Sequence, residues 1–312
     1  EQEEMAGMNR YKREGKLGEG QFGVVYKAID SQTGGVVAIK KIRILNYRDG
    51  VHPTALREIK LLGELEHEHV VPLLDVFFHK QSLHLVYPLM VTDLAVVIRD
   101  TQDIMLTNAH IKKFMQMLLE GVLYLHENFI IHRDLAPSNM LLAADGNLQL
   151  SDFGLARRFG SPETKMTPDT VTLWYRAPEL LFGTSQYSTA VDLWSVGCVF
   201  AELMLREPFL PGSSEINQLE RIFQMRGTPD KNIWRDHDAL PRFLEFAPVH
   251  PPDLRTLFTA ATDDAIDLLQ RLLTLSPAQR ISAKEALDHA YFKSRPAPCQ
   301  QHELPVPGQS NA

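Results

Sequence analysis

The stretch HRDLAPSN, residues 132–139, followed by DFG at 152–154, decides how the rest of the chain is read. Asp134 supplies a carboxylate that can accept a hydroxyl proton and orient a nucleophile. Asn139 and Asp152 supply oxygen donors suited to a hard cation such as Mg²⁺. Each triplet is common alone. Their order and spacing, with APE at 177–179 further on, make the set specific.

Working outward toward the N-terminus, LGEGQFGVV places Gly18, Gly20, Gly23 and Val25 in the spacing G-x-G-x-x-G-x-V. Glycines permit a tight turn and let backbone amides approach phosphate oxygens. Alone the loop equally describes a flexible hairpin, and the strand-like segment after it disfavours a dinucleotide fold. VVAIK then ends in Lys40, and TALREI carries Glu58 in mid-helix. Lysine at a strand end is usually a solvated tip and Glu58 equally a solvated helix face. A pairing of the two would instead hold an ammonium over bound phosphates.

Residues 11–90 read as short β-branched strands with one helix from Pro53, in which Leu56, Ile59, Leu62 and Leu65 recur at near-helical spacing. From residue 91 to 295 the pattern is helical, with Phe114, Leu118, Val122 and Leu125 along one stripe. The expectation is an α+β fold of two lobes, a small β-rich one and a larger mainly helical one, with a crevice between. Residues 1–10 read as an N-terminal tail and the Pro-rich residues 296–312 as a C-terminal tail without core-forming side chains.

A net charge of -7 and a pI near 6.0 argue against a nucleic-acid binder. Two cysteines, Cys198 and Cys299, support neither a disulfide framework nor a zinc cluster. Without an apolar run of membrane length or a basic-then-apolar leader, the chain reads as intracellular and soluble, with no membrane partner.

With these motifs in hand, the chain from Tyr11 to Phe292 resembles the eukaryotic protein kinases of the cyclin-dependent class, and within it the CDK-activating kinases. TALREIKLL, MVTDL, ARRFGSP, WYRAPELLFG and REPFLPGSSEINQLERIFQMRGTP carry the likeness, and ETKMTPDT lacks the Thr-x-Tyr of mitogen-activated kinases. The resemblance implies ATP and Mg²⁺ as cofactors and a nuclear location, with the cytoplasm also open. It implies a cyclin partner on the Pro53 to Leu62 helix, an assembly factor, and protein substrates. Those substrates would be the activation segments of other cyclin-dependent kinases and the C-terminal repeat of RNA polymerase II.

It also implies roles residue by residue. Asp134, Lys40, Glu58, Asn139, Asp152 and Thr172 would be catalytic, with Asn139 and Asp152 on the metal. Leu17, Val25, Ala38 and Leu141 would sandwich adenine, with Gly18, Glu19, Gly20 and Gly23 over the phosphates. The backbones of Leu89 and Met90 would bond the adenine edge, Tyr87 would stand at the back, and Asp93 would lie near the ribose. Glu179 would pair with Arg280, and Asp192 would anchor the catalytic loop. Ser161 and Thr167 would be phosphosites, the Thr167 phosphate being gathered by Arg57, Arg133 and Arg157. The inhibitory Thr-Tyr site of many relatives is replaced by Gln21-Phe22.

One departure stands out. Ala136 occupies the place where serine/threonine kinases carry a lysine that donates to the transferred phosphate. Two function classes therefore follow: an active but slow cyclin-dependent kinase, or a non-catalytic ATP-binding scaffold that engages a cyclin.

Overall fold

The computed structural model describes residues 10–20, 23–43, 53–80, 82–159 and 172–307. The predicted phosphosites Ser161 and Thr167, and the Gln21-Phe22 pair, lie outside these residues.

Five antiparallel strands open the chain: β1 (Tyr11–Gly20), β2 (Gly23–Asp30), β3 (Val36–Arg43), β4 (Asp75–His79) and β5 (Ser82–Pro88), in the order β1-β2-β3-β5-β4. The period of two along β5 sorts the two faces. Leu83, Leu85 and Tyr87 join Ile42 and the helix residues Ala55, Leu61 and Leu62 in the main core. Val86 turns the other way, into a separate small cluster with Tyr11, Ala28, Val37, Ile39 and Phe77. At the β1–β2 turn Gly23 has φ +156°, and a Cβ there would meet the Lys41 carbonyl oxygen at 2.0 Å. Only glycine fits this close approach.

The helix α1 (Pro53–Leu62) lies where the sequence places it, but its inward face differs from the apolar stripe read there. Ala55, Glu58 and Leu62 point inward, and Leu56 is 52% exposed. The carboxylate of Glu58 takes an interior position because Lys40 and Tyr87 satisfy it there, which displaces the stripe.

The second lobe begins with the short strand β6 (Thr92–Asp93), which pairs with β8 (Met140–Leu142), itself paired with β9 (Leu148–Leu150). Helix α2 (Leu94–Arg99) follows β6, and α3 (Asn108–Glu127) is buried well beyond its predicted stripe, with Met115, Met117 and Leu119 also fully enclosed. Strand β7 (Ile130–Ile131) pairs with β10 (Arg157–Arg158), flanking the catalytic loop and the DFG segment. The short helix α4 (Pro178–Leu181) precedes α5 (Ala190–Leu205), whose residues from Ala190 to Leu203 are all buried. Then come α6 (Glu215–Arg226), α7 (Asp263–Leu272), α8 (Ala283–Leu287) and α9 (Ala290–Lys293). A β-rich lobe on a helical lobe is the expected α+β bilobal architecture.

The C-terminal segment corrects the reading of residues 296–312 as a tail without core residues. Leu304 and Val306 are buried, and the Cys299 amide donates to the Ala109 carbonyl. The Lys112 ammonium, itself enclosed, donates to the carbonyls of Ser294 and Pro296 at 2.6 and 2.8 Å. Two apolar side chains in a Pro-rich run suffice to dock it, because α3 offers a buried donor that needs those carbonyls.

Two buried ionic contacts brace the helical lobe as the resemblance implies. Arg280 donates to both Glu179 oxygens at 2.8 and 3.0 Å. The Asp192 carboxylate accepts from the His132 and Arg133 amides, each at 2.9 Å, and from His126 Nε2. Burial pushes the Asp192 carboxyl upward, yet its three donors outweigh this and hold it below its ordinary value.

Glu179→Ala would leave the Arg280 guanidinium buried without its counter-ion, which typically costs about 3–5 kcal/mol. Urea unfolding of the purified variant is expected to show a loss of that order.

Candidate active site

Two backbone distortions and a 3₁₀ turn aim the catalytic groups. Arg133 sits at φ +69° and Asp152 at φ +60°, both in the left-handed region that non-glycine residues avoid. The Asp192 carboxylate holds the first by taking the amides of His132 and Arg133. The second is followed by a 3₁₀ turn over Phe153–Leu155, and the buried Phe153 ring meets the His132 ring edge-on at 4.9 Å. Strained backbone persists where the surroundings over-determine it, and here it marks the site. Ala136 caps another 3₁₀ turn, Pro137–Asn139, which carries Asn139 back toward Asp134.

Asp134 is held from two sides. Its Oδ1 accepts from the Thr172 amide at 3.1 Å and the Thr172 hydroxyl at 3.0 Å, while its Oδ2 accepts from Asn139 Nδ2 at 3.0 Å. The Asn139 amide nitrogen also donates to the Asp134 carbonyl at 2.8 Å. With its nitrogen so committed, Asn139 keeps its oxygen free as a donor for a cation.

Across the cleft, Lys40 Nζ donates to Glu58 Oε1 and Oε2 at 3.1 and 3.0 Å and approaches Asp152 Oδ1 at 3.4 Å. Desolvation pulls the Lys40 ammonium down, but the two carboxylates outweigh it and keep it above its ordinary value, so it stays charged. Glu58 Oε1 also accepts from the Tyr87 hydroxyl at 2.6 Å. Burial, then the Glu58 charge, pushes the Tyr87 phenol well above its ordinary value, so it remains a donor. Tyr87 therefore does more than close the back of the pocket.

Between these groups lies a cavity of about 720 Å³. Leu17, Gly18, Glu19, Gly23, Val25, Ala38, Lys40, Tyr87, Leu89, Met90, Asp93 and Leu141 of the predicted cofactor-binding set line it, and Gly20 ends β1 opposite Gly23. Leu17, Val25, Ala38 and Leu141 supply apolar walls, while Gly18 and Glu19 line it from the end of β1. Leu89 and Met90 line it from the connection between β5 and β6, with their peptide groups outside both strands. Asp93 lines it as well, although its Oδ1 caps α2 by accepting from the Val96 amide at 3.0 Å. Val71, Pro88, Ser138 and Ser151 also line the cavity and were not singled out in the sequence. Val71 belongs to no motif. Pro88 could have been found, since it sits between Tyr87 and Leu89.

Arg57, Arg133 and Arg157 do come together. Arg57 donates to the Gly154 carbonyl at 2.7 Å and Arg133 to the Leu155 carbonyl at 2.7 Å, while Arg157 lies on β10 beside β7. Desolvation and then mutual repulsion hold the Arg57 and Arg157 guanidinia below their ordinary values.

A bilobal fold with an ammonium–carboxylate pair facing an aspartate, an asparagine and a second aspartate across a purine-sized cavity defines a phosphotransferase site. The protein kinase domain model matches residues 11–292, and the chain belongs to that family. It is similar to Cyclin-dependent kinase D-1 of Oryza sativa subsp. japonica, 53% identical over 299 residues, covering 96% of this chain and 70% of that one. It is also similar to Cyclin-dependent kinase 7 of Xenopus laevis, 50% identical over 304 residues, covering 96% and 86%. Serine/threonine-protein kinase KIN28 of Saccharomyces cerevisiae is 42% identical over 299 residues, covering 95% and 97%. Among solved structures, a chain of the CAK complex of Chaetomium thermophilum bound to ATP-gamma-S aligns with a TM-score of 0.91 at 42% identity, covering 97% of each chain.

A hydrogen bond to a charged group is worth about 1.5–3 kcal/mol. Tyr87→Phe removes only the hydroxyl on Glu58, so kcat/KM for ATP is expected to fall about tenfold, one decade per roughly 1.4 kcal/mol. Steady-state kinetics on a variant with unchanged circular dichroism checks this.

Proposed function

We propose that this chain is the catalytic subunit of a cyclin-dependent serine/threonine protein kinase of the CDK-activating type. It moves the γ-phosphoryl group of ATP to a serine or threonine hydroxyl. The observation that carries the reading is Asp134, clamped between Thr172 and Asn139 and facing the Lys40–Glu58 pair across the cavity.

The chemistry follows from that placement. Adenine occupies the apolar walls, which set the phosphates beneath the glycine loop, and Lys40 holds them in register. Asp134 orients the incoming hydroxyl and takes its proton as the new oxygen–phosphorus bond forms and the bond to ADP breaks. The Asn139 oxygen and the Asp152 carboxylate form a hard oxygen donor set that fits Mg²⁺. When bound, the ion would neutralise charge on the phosphate oxygens.

The scaffold reading rested on Ala136 alone. Ala136 is buried and outside the cavity lining, whereas Lys40, Glu58, Asp134, Asn139 and Asp152 all line it. Among the described residues lining the cavity, Lys40 is the one permanently cationic side chain. One preorganised donor is therefore lacking while the rest of the machinery stands, which favours a slow enzyme over an inert one.

A cyclin on α1 is supported by the outward Leu56 and by the dependence of Glu58 on the position of that helix. Phosphorylation of Thr167 would neutralise the repulsion among Arg57, Arg133 and Arg157. Ser161 is a second phosphosite in this reading, and an assembly factor joins the complex. The substrates are activation segments of other cyclin-dependent kinases and the RNA polymerase II repeat, and the place of action is the nucleus.

Transfer of labelled phosphate from ATP by the cyclin-bound chain is expected to be abolished by Asp134→Asn. Equal signals from both proteins would sink the kinase reading. The purified chain without a cyclin is expected to turn over far more slowly than the complex. Ala136→Lys is expected to raise kcat by about 10²- to 10³-fold with little change in ATP affinity, since a single such donor is worth roughly 2.7–4 kcal/mol.

A further inference from the structure

On the face of the first sheet turned away from α1 lies a cavity of about 310 Å³ that the phosphotransfer chemistry does not use. Its position follows from strand register. Lys41 pairs with His84 on β5, and His84 pairs with Phe77 on β4, one residue out of phase with Lys40 and Leu85. Side chains alternate across a strand, so this row faces the opposite side from the nucleotide cleft.

Three properties of the lining point to one kind of ligand. Its charged residues are Arg13, Lys41 and Lys80, with no aspartate or glutamate among the described lining residues, in a chain whose net charge is -7. Its floor is aromatic: Tyr11, Phe77 and His84 stack in a row, Phe77 lying 5.5 Å from Tyr11 and 4.8 Å from His84, and Arg13 lies 3.2 Å from the centre of the Tyr26 ring. His84 is only 8% exposed, yet its Nδ1 has no hydrogen-bond partner among the described residues, and the same holds for His79 Nε2. Buried polar atoms are rarely left unpaired in folded proteins. Burial and then Lys41 push the His84 imidazole down to about 4, against a weak opposing contact with the Ser82 backbone, so the ring is neutral at pH 7.

We propose that this cavity is a second binding site, separate from the nucleotide cleft, for a planar aromatic group bearing one anionic head, such as an aryl phosphate. The ring lies across the edges of the stacked Phe77 and His84 rings, the head meets Lys41 and Lys80, and an oxygen of the ligand completes the hydrogen bonding of the histidines. A cation is excluded by the three positive side chains. A purely apolar ligand would leave both imidazole nitrogens unpaired. The volume suits one ring with its head, near the lower end of the roughly 300–1,000 Å³ range of small-molecule sites. The group could arrive as a free metabolite or as a phosphorylated tyrosine of a partner protein.

Titration calorimetry of the full chain with phenyl phosphate tests this, with a short phosphotyrosine peptide as a second arm. Saturable binding that persists in excess ADP is expected, and each of Lys41→Met and His84→Phe should weaken it about tenfold, the value of one charged hydrogen bond. Tighter binding of the peptide assigns the site to a partner protein, and equal binding assigns it to a free metabolite. In the unmutated chain, phenyl phosphate should protect Lys41 and Lys80 from acetylation while leaving Lys12 reactive. Displacement by ADP, unchanged affinity in both variants, equal binding of inorganic phosphate, or no protection of the two lysines would each overturn the proposal.

Discussion

A buried ion pair between two elements that are far apart in sequence is the constraint on which the site depends. Lys40 belongs to β3 and Glu58 to α1, and the Glu58 side chain is only 5% exposed. Burying a carboxylate without partners is costly, so the pair persists only if every donor around it is in place. Lys40 and Tyr87 together supply those donors, and the same ammonium reaches toward Asp152 in the other lobe. One contact set therefore fixes the distance from sheet to helix and registers the small lobe against the DFG turn. Any force that moves α1 alters the position of the ammonium that holds the phosphates.

The larger lobe solves a different problem, which is to keep the catalytic loop in a conformation its own residues disfavour. Arg133 has a positive φ, a conformation that non-glycine residues avoid. Compensation comes from Asp192 on α5, a helix buried from Ala190 to Leu203 that cannot move without disrupting the core. Catalytic precision at Asp134 is thus borrowed from helix packing. The loss of a lysine at position 136 removes a donor but not this geometry, since the Ala136 carbonyl still accepts the Asn139 amide at 2.9 Å. Electrostatic help for the transferred phosphate falls more heavily on Lys40 as a result.

How much of this was legible in the sequence follows from the range of each interaction. The lobes, the cleft and the catalytic set were readable because ordered motifs carry them, and the pairings of Glu179 with Arg280 and of Asp192 with the catalytic loop came with the resemblance. The inward face of α1 was not readable from apolar spacing, because Glu58 is buried for its partners rather than for its hydropathy. The hydroxyl of Tyr87 looked like a passive wall, and only the fold reveals that it reaches Glu58. The docking of Leu304 and Val306 was hidden by a Pro-rich composition, and the partner that holds that segment, Lys112, belongs to no motif. Val71 lines the nucleotide cavity without belonging to any pattern.

The coupling of Lys40 to Glu58 can be measured directly by a double-mutant cycle on kcat/KM, using Lys40→Met, Glu58→Gln and the double variant in the cyclin complex. Residues that act as one unit are strongly non-additive. The double variant is therefore expected to lose little more activity than the more damaging single one. Losses that multiply would mean that the two side chains act independently, and would contradict the account.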